Sequence, residues 1–450
     1  MSLITGIPIR DSIHTDFSTG ISGWGGYRTE LTGEFTRQGG NVSGRYGEFS
    51  KDIQEYNRKI NTLSGAWSDT GMFLTPYNAG FRYTGTGDFN KWDTYSLLLD
   101  GVNDYVDTSL QPDFINTNAT MSFWVNMNDF GGTQCMGCHN NKRFYCGFSD
   151  HLAGMGVQDA NNLSAGADLS SYVEIGKWHH ICLVADGGTA TYYVDGVSRD
   201  TMSYTQASAT NPDTNFFIGA TSHSSTVYYM NGKIDEVGIF DSALSAAQVV
   251  AIYNGGTPQS LAPYSPTAWW RMGDGILDGF GTHAGAGADL GLVTDEVNPT
   301  LGAEALPDPN FNNADDWAIT GITGDEVFDV NTTNAGKLTA IAAHDGNLYE
   351  GVSRSMTNGQ IYLLEIEVDT YTQGNFRGEG DCGTWNVPIG GVGTFKHYFR
   401  ASGTRFRLLV DGEGGAGATF TATSISLKPV NGNAGLMINM APADIVADTP

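Results

Sequence analysis

From Tyr95 to Asn254 the chain alternates short apolar runs with turn residues, and the turns recur about every ten positions. In "ATMSFWVNM" Met121, Phe123 and Val125 fall on one side, the period of two that a strand requires. "YSLLLDGVNDYVDTS" reads as a strand, an Asp-Gly turn and a second strand. "KWHHICLVADGGTATYYVDGV" is two apolar runs joined by Asp-Gly-Gly, a strong hairpin signal. "TNFFIGA" and "KIDEVGIF" supply further strands. Together these predict a two-sheet antiparallel sandwich. A short helix closes it. Ser245 and Gln248 form a capping box, Leu244 and Val249 a hydrophobic staple, and Gly255-Gly256 with Pro258 end it.

A second β unit begins near Leu306, with strands in "IYLLEIEVDTY", "TFKHYFRA", "TRFRLLVD" and "ATFTATSISLKPV". Leu364, Ile366 and Val368 alternate with Glu365 and Glu367, so one face is apolar and one wet. Between the units, 259–305 reads as a linker that is Pro-rich at first and carries an aromatic anchor at Trp269-Trp270. Residues 431–450 read as an extended tail that contacts a neighbour. Residues 1–90 are Gly-rich and largely irregular, with one amphipathic helix predicted over 51–63 from Ile53, Tyr56, Ile60 and Leu63. That region suits docking onto another protein or forming an irregular layer on the first domain. The expected architecture is all-β: two antiparallel sandwiches in tandem, 91–258 and 306–430, behind an N-terminal attachment region.

Charge narrows the partners. With 23 basic against 49 acidic residues the net charge is −26, and no basic patch offsets it, so a phosphate backbone is not an expected ligand. "MSLITGIPIRDSIHTDF" lacks the basic start and apolar run of a signal peptide, and no segment has bilayer-spanning length. The expectation is a soluble protein made in a cytoplasm, without membrane insertion. Five cysteines, an odd count, are expected as reduced thiols.

Candidate chemistry is sparse. Cys135-x-x-Cys138-His139 formally matches a haem attachment site, and with Cys146 a zinc site; the simpler reading is a hairpin with buried thiols. His179 and His180 are neighbours on a strand, as are Asp235 and Glu236, and such neighbours point to opposite faces. Neither doublet is therefore expected to act as a unit, and no catalytic residue is assigned. Glycosidase carboxylates must flank one bond across a cleft, which strand neighbours do only where a bulge re-aims one of them. Sugar recognition needs aromatic platforms beside polar partners. Tyr228 and Tyr229 are candidates in the first sandwich, Trp317 and Trp385 in the second.

"SLLLDGVNDYVDT", "MSFWVNM", "GKWHHICLVADGGTATYYVDG" and "GKIDEVGIFDSALSAAQVVAIYNGG" together resemble the laminin-G-like (concanavalin-A-like) jelly roll over about 95–256. The stretch from "PNFNNADDWAITG" to "TFTATSISLKPV" is similar to the carbohydrate-binding-module-like jelly rolls of phage tail and fibre proteins. With "WWRMGDG" and "GLMINMAPADIVADTP", the whole resembles tail-fibre-type virion proteins of marine bacteriophages. The resemblance implies a non-enzymatic virion component that binds a host surface polysaccharide. It also implies attachment to other virion proteins through residues 1–90 and a homo-oligomer, a trimer if a fibre. Such a protein is made in the host cytoplasm and acts outside it. A capsid decoration or tail scaffold protein and a polysaccharide depolymerase are the alternatives. The laminin-G-like resemblance further implies Ca²⁺, for which Asp100, Asp104 and Asp235 are the candidate ligands.

Overall fold

The computed structural model describes residues 93–450 apart from 112–117, 140–143, 150–151, 158–170, 204–214, 222–226, 282–290, 322–325, 344–345, 351–354, 384–385, 389 and 412–416. Within 1–92 it describes four two-residue strands, Thr36–Arg37, Gly40–Asn41, Phe73–Leu74 and Phe81–Arg82, paired in one small sheet. The chain divides into two compact units, Met1–Trp92 and Asp93–Pro450. The helix expected over 51–63 lies outside the described residues.

The second unit is all-β, as the patterning requires. Its first sandwich pairs two sheets. In one, Ala119–Met127 lies between Trp178–Asp186 and Asn231–Phe240, and every residue of that central strand is buried. Met121, Phe123 and Val125 enter the core between the sheets, where they meet Leu97, Leu99, Ile181, Tyr192, Phe216 and Ile218. The opposite face of this sheet is covered by the helix Ala246–Tyr253, whose Val249 and Ile252 pack with Cys182, Val184, Phe240 and Trp269. Its capping box forms as expected: Gln248 N donates to Ser245 Oγ (3.3 Å), and Ser245 N donates to Gln248 Oε1 (2.9 Å). The Asp186–Thr189 turn places Gly187 and Gly188 at φ 54° and 90°, the left-handed pair that a tight hairpin needs.

The conspicuous doublets resolve differently. His180 is fully buried between Trp124 and Tyr253, with Nε2 2.8 Å from Ser122 Oγ. His179 turns away to Asp195, Nδ1 to Oδ2 2.8 Å. Burial pushes the His180 imidazole down to about 4, against the pull of Asp195. A folded pKa below the unfolded value contributes stability that is present above pH 6.5 and lost as the pH falls toward 4. Lowering the imidazole from 6.5 to about 4 corresponds to about 3 kcal/mol. His180→Phe should flatten that part of the acid limb in denaturant titrations run from pH 7 to pH 4; an unchanged limb excludes His180 as its source. The Cys135/Cys138/Cys146 segment forms the expected hairpin, Thr133–His139 against Phe144–Ser149. Burial raises the Cys135 and Cys146 thiols.

The second sandwich faces the sheet Trp317–Thr320, Gly346–Glu350, Arg407–Asp411, Asn375–Gly378, Asn386–Pro388 against the sheet Val327–Val330, Leu338–Ala343, Ala418–Pro429, Ile361–Gln373, Gly393–Arg400. It has its own core, including Phe311, Leu364, Ile366, Val368, Phe376, Phe399 and Phe420. Glu365 and Glu367 lie on the outer face, half-buried and exposed, as their alternation predicts.

The linkage between the sandwiches corrects the tandem picture. The expected linker supplies Ala268–Trp270, which pairs with Asn231–Phe240, and Gly291–Val293. The expected extended tail supplies Gly435–Ile438, which inserts between Gly291–Val293 and Tyr105–Thr108. The second sandwich is therefore looped out between two adjacent strands of the first. Its two connections run side by side, joined by Asn431 N to Thr300 O (2.9 Å), Gly302 N to Pro429 O (2.8 Å) and the Leu301–Val430 bridge. Close-set ends are what make such an insertion sterically cheap. The two sandwiches pack through Leu292 and Leu436 against Ile361, Leu363 and Tyr398. Arg400 crosses the same interface, donating to Asp107 O (2.9 Å) and Ser109 Oγ (2.9 Å).

Candidate functional site

A cleft of about 240 Å³ opens at one end of the first sandwich. It is lined by Asp100, Asp129, Gln134, Tyr228, Tyr229 and Asn231, with Gly101 and Gly131 as part of its wall. Local chemistry builds each side. Asp100 Oδ1 accepts from Val102 N (2.8 Å) and Asn103 N (3.2 Å), which folds the Asp-Gly turn back on itself. Gly101 sits at φ +76°, where a Cβ would come within 2.8 Å of Asn231 Cβ, so both conformation and space require glycine. Asp129 Oδ1 accepts from Gly131 N (2.7 Å) and Gln134 Nε2 (2.9 Å), and its Oδ2 from Asn231 Nδ2 (2.5 Å). Gln134 Oε1 accepts from Asn231 N (2.8 Å). These bonds hold a carboxylate and two amides rigidly along the cleft. Tyr229 is half-buried, its ring 6.3 Å from that of Tyr105.

Of the sugar-binding candidates, Tyr228 and Tyr229 thus share one cleft with polar partners. Trp317 does not act as a platform. It is 6% exposed and packs on Phe311 inside the second core, ring centroids 5.7 Å apart. Its strand turns that face inward. Trp385 lies outside the described residues. The sequence reasoning missed Asp129, Gln134 and Asn231, because a loop and two distant strand ends meet only through the sheet.

The candidate calcium ligands do not converge. Asp100 and Asp104 are neighbours, with Asp100 N donating to Asp104 Oδ2 (3.2 Å). Burial, with Asp100 beside it, raises Asp104 to about 6. Asp235 lies elsewhere: Asn231 pairs with Asp100, and Asp235 is four residues further along the same strand, roughly 13 Å at strand rise.

Asp235 instead meets Asp93 and Glu236. Their carboxylate oxygens lie within 4.8 Å of one another, and all three residues are buried. The expected opposition of Asp235 and Glu236 fails because the strand bulges there. Asp235 pairs with Trp124 and Gly238 with Ser122, which leaves two residues opposite one, and Glu236 adopts φ +45°. The bulge keeps Ile234, Val237 and Ile239 all in the core and swings Glu236 beside Asp235. Glu236 Oε2 accepts from Trp269 Nε1 (2.5 Å) and Oε1 from Arg271 Nε (3.1 Å). Asp235 Oδ1 accepts from Glu236 N (2.7 Å). Neither oxygen of Asp93, nor Oδ2 of Asp235, meets a donor among the described residues. Burial pushes all three carboxyls up; repulsion from Glu236 and Asp274 adds to this at Asp93, from Asp93 and Glu236 at Asp235, and from Asp274 at Glu236, where Arg271 opposes the shift. The pair is enclosed rather than set on a cleft wall, so no sugar bond can lie between its two carboxylates. An oxygen-only, hard, electron-rich pocket fits the kind of ion that calcium is.

No helix among the described residues is long and apolar enough to cross a membrane. No curated protein matches this sequence. Among solved structures, a putative carbohydrate binding protein from Bacteroides ovatus is 16% identical, with 55% of this chain and 80% of that chain covered and a TM-score of 0.33. The CBM40 of the Ruminococcus gnavus IT-sialidase, bound to α2,3 sialyllactose, is 15% identical, with 35% and 97% covered and a TM-score of 0.28. A mutant Trypanosoma rangeli sialidase displaying trans-sialidase activity is 15% identical, with 31% and 23% covered and a TM-score of 0.26, so this chain spans less than a quarter of it. Likeness at that level carries no functional information. Residues 100–250 match a laminin G-type family model described as the concanavalin A-like lectin/glucanases superfamily; the first sandwich therefore carries a concanavalin A-like jelly-roll domain, completed by strands from outside the matched span.

Proposed function

We propose that this protein binds glycans at the end cleft of its first sandwich and does so as a structural, non-enzymatic component of a bacteriophage virion, tail- or fibre-like. The observation that carries the binding reading is the convergence of Tyr228 and Tyr229 with Asp129, Gln134 and Asn231 on one cleft of a lectin-like jelly roll. Tyrosine rings offer apolar faces to a sugar ring, while fixed carboxylate and amide groups meet its hydroxyls. A cleft of this size takes one or two sugar residues, so a single site is weak. Repeated copies on a particle multiply it, and avidity then holds the cell. Residues 1–90 are the proposed attachment to other virion proteins, and the oligomer is a trimer if the particle component is a fibre.

The purified chain on a glycan array should give a defined set of hits. Tyr228→Ala/Tyr229→Ala should lose at least about tenfold in affinity, the equivalent of one aromatic platform. Binding with no loss in that variant removes the cleft from the reading. No hits at all favours a capsid or scaffold protein with protein contacts only. Release of reducing sugar from host polysaccharide establishes a depolymerase instead. Antibody labelling of particles separates head from tail.

A further inference from the structure

We propose that Asp93, Asp235 and Glu236 form a binding site for a divalent cation of the calcium type, separate from the glycan cleft. Three carboxylates converge there in a space closed to solvent, and Asp93 and Asp235 are 3% and 0% exposed. Three of their oxygens meet no donor among the described residues: both of Asp93 and Oδ2 of Asp235. Buried polar atoms without partners are costly, and buried like charges more so. The neighbouring cation is Arg271, which bonds Glu236. When ionised, three carboxylates against one guanidinium carry two negative charges, and the Asp274 carboxylate nearby adds to them, so a divalent ion in this pocket would replace the protons that otherwise neutralise it.

The donor set decides the class of ion. Oxygen-only ligation without nitrogen or sulfur excludes the preferences of zinc and copper. Carboxylates drawn from a chain segment before the first strand and from a bulge make an irregular site, which calcium tolerates better than magnesium does. The placement gives the ion a structural task. Asp93 opens the described unit, Asp235 and Glu236 lie in the strand that closes the family-matched domain, and Trp269 and Arg271 hold Glu236 from the strand beyond it. Bound calcium ties these three segments together at the point where the bulge bends the closing strand.

The test uses the full chain, freed of metal with EDTA. Calcium chloride titrated calorimetrically should show one ion per chain, and at about a hundredfold excess over Kd the unfolding midpoint should rise by about 5 °C or more. Terbium should replace calcium and luminesce on tryptophan excitation, because Trp269 touches the Glu236 carboxylate. Asp93→Asn should abolish both responses, while Asp100→Asn and Asp129→Asn should leave them intact. The wild-type titration needs no variant to fold: absence of any calcium-dependent shift or terbium signal overturns the proposal and leaves shared protons to neutralise the cluster. Responses that survive Asp93→Asn but vanish in Asp100→Asn or Asp129→Asn also overturn it, by placing the ion in the cleft.

Discussion

Deleting residues 431–450 should unfold the first sandwich, although these residues read as an extended tail that contacts a neighbour. Gly435–Ile438 is an interior strand bonded on both sides, so its loss opens two raw sheet edges at once. It also removes Leu436, Met437 and Met440, at 2%, 0% and 6% exposure. Buried large side chains cost about 2–5 kcal/mol each when truncated to alanine, and complete removal costs at least that. The anchors go as well: Trp270 Nε1 donates to Asn433 O (2.9 Å), and Asn433 N and Nδ2 donate to Asp295 Oδ2 (2.9 and 3.0 Å). The sum exceeds the net stability of about 5–15 kcal/mol typical of a domain. Ending the chain at Met440 should be far milder. That cut removes the edge strand Ile445–Val446 and the bonds of Asp448 to Lys233 and Trp178, all at half-exposed positions. Near-ultraviolet circular dichroism and limited proteolysis of the two truncations separate the outcomes. A chain ending at 430 that melts like the full protein refutes the nested architecture. A fragment over 303–430 should fold alone, since it owns a complete core.

Local chemistry in this protein was readable and distant pairing was not. The hairpin at Asp186, the capping box at Ser245 and the two-residue period through Met121, Phe123 and Val125 each depend on residues within a few positions, and each appears in the fold. Gly435–Ile438 carries no comparable signal. It is four residues long, Gly-rich in its approach, and its partner Tyr105 lies more than 300 positions away, so only closure of the whole sheet selects the pairing. Asp93 is silent for the same reason. The bulge did leave a trace. Ile234, Val237 and Ile239 are spaced by three and then two, a broken alternation that an unbulged strand cannot bury on one face. Reading Asp235 and Glu236 as opposed assumed regular pleating where the apolar residues themselves show a slip. The tryptophan pair misled in the same way: Trp270 reads as a linker anchor but stacks on Phe216 in the central core, ring planes 3° apart.

Arg271→Met should destabilise the second unit by about 3–5 kcal/mol, the usual result of leaving one side of a buried ion pair uncompensated. The side chains of Arg271 and Glu236 are 12% and 2% exposed, so solvent screens the loss very little. The effect exceeds that of an ordinary buried pair in origin, because Asp93 and Asp235 stand beside Glu236, and Asp274 and Glu296 draw on the same guanidinium. Methionine retains most of the aliphatic volume, so the loss reports charge rather than a cavity. Glu236→Gln alone removes one negative charge and keeps the carbonyl that accepts from Trp269 Nε1, so its cost should be smaller. The double variant should recover on the order of 2 kcal/mol relative to the sum of the singles, measured by denaturant unfolding in EDTA. Strict additivity would mean that the two groups do not interact energetically in spite of their 3.1 Å contact. Calcium supplies the decisive arm. Without the guanidinium the three carboxylates hold a full extra negative charge, so saturating calcium should rescue Arg271→Met by more than it stabilises the wild type. If instead the rescue is equal in the two proteins, the ion and Arg271 are not neutralising the same carboxylates.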